Sequence, residues 1–129
     1  MPTIVQKYGG SSLADAEKVR GVARRVIDAK VKGVGVVVVC SAMGESTDEL
    51  LELSRQVASF PAEREVDLLL STGEMVSCAL LAMALNDMKC PAVSLTGRQA
   101  GIQTESLHGK ARIEGVAPDR IIAELEAGK

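Results

Sequence analysis

Lys7-Tyr8-Gly9-Gly10-Ser11-Ser12 places a lysine and two glycines between a short apolar segment and a helical pattern. Glycine lets backbone N–H groups approach an anion closely, and the dipole of a following helix favours negative charge. Lys7 adds a mobile point charge suited to phosphate. Neither Walker A spacing nor GxGxxG is present, so a tight turn carrying a surface lysine stays equally open. Ser41 and Thr47 flank a second glycine-containing turn. Their hydroxyls can bind polar groups of a ligand, or cap the turn and the next helix, a task Thr47 suits. Glu74 lies between two apolar helical segments, beside Ser71-Thr72-Gly73. A charge there needs a partner or water. It either lines a polar ligand cleft or sits at a helix N-terminus against the dipole.

The remaining chemistry-bearing residues read more plainly. His108 is the one histidine, without a nucleophile or metal cluster beside it in sequence. Arg98 reads as an exposed loop arginine. Cys40, Cys78 and Cys90 lie in apolar runs with no CxxC and no histidine at ligand spacing. They are expected to be reduced, buried thiols, with no metal site.

The elements that must position these groups follow from patterning. Thr3 to Tyr8 predicts a strand, and Ser12 with Asp15 predicts a capping box opening a helix. Val19, Val22, Ala23, Val26 and Ile27 recur at the helical period, and Gly33 stops them. Val34 to Cys40 predicts a parallel strand covered on both faces. A second helix follows with Leu50, Leu51, Leu53 and Val57 inward, broken at Phe60-Pro61. Glu65 to Leu70 starts a helix, Ser71-Thr72-Gly73 interrupts or bends it, and Glu74 to Met88 continues it. Pro91 to Leu95 predicts a third core strand; Thr96 to Gly115 is loop-rich with weak strands. Pro118 opens a last helix that stops at Gly128. Such alternation predicts an α/β class with a mostly parallel, buried sheet, whose ligands gather at the carboxyl ends of the strands.

Composition narrows the function. The chain has 129 residues, 17 acidic and 15 basic, with a formal charge of −2. That balance leaves no footprint for nucleic acid or a membrane surface. One Tyr, one Phe and no Trp leave no stacking platform for single strands. The longest uncharged helical stretch, Met75 to Asn86, has roughly 12 residues against the about 20 that a bilayer needs, so a core helix is expected. The N-terminus carries no leader pattern, and the cytoplasm is the expected location.

Four motifs, in order, carry a resemblance. Val5-Gln6-Lys7-Tyr8-Gly9-Gly10-Ser11-Ser12 resembles the Lys-Phe/Tyr-Gly-Gly-Thr/Ser-Ser signature of aspartate kinases in the amino-acid kinase superfamily. Val36 to Met43 is similar to that family's second strand and Ser-Ala-Met turn. Asp67 to Glu74 resembles its Leu-Leu-Ser-x-Gly-Glu stretch. Ser94 to Ile102, followed by residues 108–113, resembles its Thr-Gly-x-Gln-Ala-Gly and His-Gly-x-Ala-x-Ile segments.

The resemblance implies a three-layer α/β/α sandwich, of which residues 1–129 form the substrate-side half. The domain is thus expected to be truncated, with the nucleotide-binding half and the ACT regulatory domains absent, and the full-length parent is expected to be a homo-oligomer. It also implies transfer of the γ-phosphoryl group of ATP, as its Mg2+ complex, to the side-chain carboxylate of L-aspartate. The family's catalytic lysine matches Lys7, its phosphate cradle Lys7, Gly9, Gly10 and Ser11, and its amino-acid pocket Ser41, Thr47 and Glu74. The isolated chain is expected to be inactive. The alternative is a non-catalytic α/β module or assembly subunit with an exposed sheet edge.

Overall fold

The computed structural model describes residues 1–129. In chain order these are β1 (Thr3–Tyr8), a short 3-10 turn (Gly10–Leu13), α1 (Ala16–Lys30), β2 (Gly35–Cys40), α2 (Ser46–Val57), α3 (Glu63–Asp87), β3 (Ile102–Thr104), β4 (Ile113–Val116) and α4 (Asp119–Glu126). β1 and β2 pair in parallel from Thr3↔Gly35 to Tyr8↔Cys40. The Ser41 N–H continues the ladder by donating to the Tyr8 carbonyl at 3.0 Å.

One face of this ribbon carries the core. Tyr8, Val36, Val38 and Cys40 pack against a buried cluster from α1 and α3, including Val19, Val22, Val26, Leu81 and Leu85. The α1 stripe has the i, i+3, i+4, i+7 spacing that the sequence predicts. On the other face α4 lies against β2: Leu125 Cδ2 stands 3.3 Å from where a Gly35 Cβ would be. Helix, sheet and helix thus form three layers, in an α/β architecture with a parallel ribbon at its centre.

Several local expectations are corrected. Asp15, rather than Ser12, caps α1, its carboxylate accepting from the Lys18 N–H at 2.8 Å. The 3-10 turn at Gly10–Leu13 occupies the chain first and delays the helix. The N-cap of α2 is Glu45, with Thr47 already inside the helix. Leu50, Leu51 and Ser54 turn inward, while Leu53 and Val57 are exposed.

The break expected at Ser71-Thr72-Gly73 is absent: α3 runs unbroken for 25 residues. Ser71 and Thr72 donate to the carbonyls of Leu68 and Leu69 at 2.7 Å, so their hydroxyls bond within the helix instead of interrupting it. By length and composition α3 could cross a membrane. Its buried residues Gly73, Ser77, Leu81, Ala84 and Leu85 form one stripe facing α1 and α2, while Leu68, Met75, Val76 and Met83 are exposed, so the helix is less covered than the core helix expected.

The third core strand expected at Pro91 to Leu95 is absent: the segment has no regular secondary structure and pairs with no strand. The Asn86 side chain brackets Ala92 there, donating to its carbonyl (3.2 Å) and accepting from its N–H (3.0 Å). A cleft of about 470 Å³ separates this segment from β2 and denies it a ladder partner. The weak strands expected after Thr96 are the antiparallel pair β3–β4.

The accessible surface is 8455 Å². Surface–mass scaling gives about 6,500 Å² for a compact chain of this 13.5 kDa mass. Val5, Val39, Met83 and Phe60 contribute to the excess, Phe60 being 97% exposed.

Candidate active site at the strand ends

β1 and β2 deliver two turns side by side at their carboxyl ends, Gly9–Leu13 and Ser41–Gly44. The Gly44 N–H donates to the Gly10 carbonyl at 2.9 Å. A Cβ on Gly10 would stand 2.7 Å from the Gly44 oxygen and 2.9 Å from the Ala42 oxygen. Gly10 is therefore glycine because two backbones meet there. Gly9 differs: nothing lies within 4 Å of its Cβ position, and its outer side is open. A Gly10→Ala substitution is expected to cost about 1–3 kcal/mol, since backbone must shift. Gly9→Ala is expected to stay within about 0.5 kcal/mol. Urea unfolding midpoints of the two variants check the contrast.

The Ser41–Gly44 turn also meets α3. Ser77 Oγ donates to the Ser41 carbonyl at 2.6 Å. A Cβ on Gly73 would lie 2.9 Å from Ala42 Cβ, so α3 passes the turn at a distance only glycine allows. Glu74 follows Gly73 and precedes Ser77 by one helical turn. It is exposed, lines the cleft and forms no ion pair. It lies mid-helix, so its charge does not sit against a helix N-terminus. Thr47 enters through α2, one turn before Leu50, whose Cδ1 is 3.8 Å from the Gly73 Cβ position. With Glu45 at the cap, the Thr47 hydroxyl is released from the capping task expected of it.

Lys7 is exposed on β1 opposite Val39 and pairs with no carboxylate. Ser11 is exposed on the 3-10 turn. One turn thus gathers the Lys7-Gly9-Gly10-Ser11 segment on one side and the Ser41, Glu74 and Thr47 elements on the other. Chemically, the site offers an unpaired cation and open backbone on one side, and hydroxyls with an unpaired carboxylate on the other. No group of three His, Cys, Asp or Glu side chains is arranged to hold a metal ion.

The structure also shows groups that sequence reasoning missed. Lys18 Nζ reaches back from α1 to the Ser11 carbonyl at 3.2 Å, putting a second lysine beside the glycine turn. Its i+7 separation from Ser11 offered a signal only to a reader who knew that a 3-10 turn intervenes. Asp67 on α3 accepts from the Gly109 N–H at 2.9 Å and contacts His108 Nδ1 at 3.1 Å. His108 therefore helps hold its loop to α3, a contact 41 residues apart with no local signature.

The cleft between β2 and Cys90–Gly97 is floored by Cys78, Leu81 and Leu85 and flanked by Ile121 and Leu125. Its lining is mostly apolar, with Ser71, Glu74, Thr96, Lys30, Glu124 and Lys129 among its polar members. β2 has a strand partner on one edge only. Lys129, beyond the end of α4, and Arg120 within it donate to Glu124 at 2.6 and 2.7 Å and hold its carboxyl below the usual range.

Residues 2–129 match the model of the amino acid kinase family. The aspartokinase of Corynebacterium glutamicum is 53% identical over 129 residues, covering all of this chain and 31% of that protein. The aspartokinase of Geobacillus stearothermophilus is 54% identical over 128 residues, again 31% of its length. The chain thus spans about a third of these relatives. The crystal structure of aspartate kinase from Synechocystis superposes with a TM-score of 0.84 at 46% identity, over 98% of this chain and 20% of that one.

Proposed function

Because the chain belongs to the amino acid kinase family, we propose that it forms the aspartate-binding and phosphate-binding part of an aspartate kinase. The observation that carries this reading is the Ser41–Gly44 turn, which touches both the glycine turn after Lys7 and the α3 segment bearing Glu74. In the reaction, a side-chain oxygen of L-aspartate attacks the γ-phosphorus of MgATP. The bond to the bridging oxygen breaks, and ADP and 4-phospho-L-aspartate leave. The attacking carboxylate is ionised at pH 7, so no general base is required. The task of the protein is positioning and charge neutralisation. Lys7 neutralises the transferring phosphoryl group and the open backbone at Gly9, Gly10 and Ser11 lies along it. Glu74 pairs with the substrate ammonium, and the Ser41 and Thr47 hydroxyls bond its polar groups. Mg2+ arrives with the nucleotide. The product feeds amino-acid biosynthesis toward lysine, threonine and methionine, in a cytoplasmic homo-oligomer.

The free edge of β2, the apolar cleft beside it and the excess apolar surface support a role as part of a larger domain. In a polypeptide of the relatives' length, a further strand seats there and brings nucleotide-binding groups. The deciding experiment exchanges the matching third of the Corynebacterium glutamicum aspartokinase for this chain and traps the acyl phosphate with hydroxylamine. A folded chimera without aspartate-dependent hydroxamate would overturn the reading. In an active chimera, Glu74→Gln is expected to raise the KM for aspartate about 10- to 100-fold through loss of a charge-assisted bond, with the KM for ATP unchanged.

A further inference from the structure

Ser77 is fully buried on α3, one helical turn after Glu74. A serine inside a helix ordinarily turns its hydroxyl back onto the carbonyl three or four residues earlier. Ser54, Ser71 and Thr72 do this, donating to the carbonyls of Leu51, Leu68 and Leu69 at 2.6, 2.7 and 2.7 Å. Ser77 departs from them. Its own i−3 carbonyl, that of Glu74, lies 3.1 Å from Oγ, whereas the carbonyl of Ser41 on the turn after β2 lies at 2.6 Å. A hydroxyl has one proton to donate, and the shorter contact takes it. The Ser77 oxygen thus stands between the backbones of Ser41 and Glu74.

The Ser41 peptide is held from its other end as well. Its N–H donates to the Tyr8 carbonyl at 3.0 Å, and Tyr8 precedes the open glycine turn. Gly73 presses α3 onto the same segment, since a Cβ there would lie 2.9 Å from Ala42 Cβ. Ser77 supplies the polar bond across this seam.

We propose that Ser77 is a positioning residue for the amino-acid substrate, a buried hydroxyl that ties the Ser41 backbone to α3 and sets the spacing between the Ser41 hydroxyl and the Glu74 carboxylate. The role rests on the assignment of Ser41 and Glu74 to the aspartate pocket. Being fully buried, Ser77 acts through those residues and not on the substrate directly. Without its hydroxyl the Ser41 carbonyl loses its partner on α3, and the turn must be ordered anew each time aspartate binds. The phosphate side is spared: the glycine turn keeps its own bond from the Gly44 N–H to the Gly10 carbonyl and its place on the β1–β2 ladder.

The test uses the active chimera, with hydroxamate formation titrated separately against aspartate and MgATP. Ser77→Ala is expected to raise the KM for aspartate about 5- to 10-fold, the worth of one hydrogen bond, with kcat and the KM for ATP little changed. Ser54→Ala removes another buried helix hydroxyl and is expected to move neither KM. In a Ser41→Ala background, Ser77→Ala is expected to add about twofold or less, because its route to the substrate is already cut. Ser77→Cys keeps a weak donor and is expected to recover part of the loss. An unchanged aspartate KM in Ser77→Ala, equal rises for both substrates, or full additivity with Ser41→Ala would each overturn the proposal and leave the kinase reading standing. If Ser77→Ala does not fold, Ser77→Cys decides: an aspartate KM equal to the parent's overturns the role. A folded parent chimera without hydroxamate overturns the kinase reading and this role with it.

Discussion

Replacing Lys7 by alanine in an active chimera is expected to lower kcat by about 10²–10³, with the KM for aspartate little changed. Removing one preorganised charge or donor from a developing anion typically costs that much. Lys7 forms no ion pair and is exposed, so its charge is not spent on stability. Its β1 backbone is held by the ladder to β2 whatever the side chain. The loss should therefore appear in kcat while urea unfolding stays within about 0.5 kcal/mol of the parent. Lys7→Arg should restore activity only in part, because a planar guanidinium does not replace a compact ammonium at one phosphoryl oxygen. A Lys7→Ala chimera with undiminished kcat would shift the assignment to Lys18, whose ammonium already lies 3.2 Å from the Ser11 carbonyl.

The largest effect on folding is expected far from that lysine. Gly101 has φ +83, and a Cβ there would stand 1.9 Å from the Ala117 oxygen. The same two residues share a bond from the Ala117 N–H to the Gly101 carbonyl at 2.9 Å, so the backbones cannot separate without losing it. Left-handed backbone costs a non-glycine residue about 1–2 kcal/mol, and overpacking adds about 1–3 kcal/mol. Gly101→Ala is expected to destabilise by about 3 kcal/mol or more and to lower Tm by about 10 °C. Gly21 is the control: it lies within α1 with nothing within 4 Å of its Cβ position. Gly21→Ala should stabilise by about 0.5–1 kcal/mol. Thermal unfolding of both variants by circular dichroism makes the comparison.

These cases mark where sequence reasoning reached and where it stopped. Lys7 and the two glycines were legible because a strand, a glycine pair and a helix pattern are local signals. So was the α1 stripe, since its 3.6 period needs no partner to be seen. Thr47 was placed at a cap that Glu45 holds, and Ser12 at one that Asp15 holds, because cap residues compete within a single turn and the neighbouring packing decides. α3 was divided at Ser71-Thr72-Gly73, three residues of poor helix propensity. Packing of Gly73 on Ala42 reverses that local preference. Pro91–Leu95 has strand composition, yet a ladder requires a neighbour, and the cleft stands in its place.

The amino-acid sequence by itself determined the α/β class, the elements bearing Lys7, Ser41, Thr47 and Glu74, and the order of the motifs. Each rests on contacts within a few residues or on a periodicity written along the chain. Only the tertiary structure decided that Gly10 and Gly73 serve close approach and that Asp67 anchors His108. Those facts depend on which distant segments share a surface, and hydrophobic burial, being non-directional, leaves that choice to the packing of the whole.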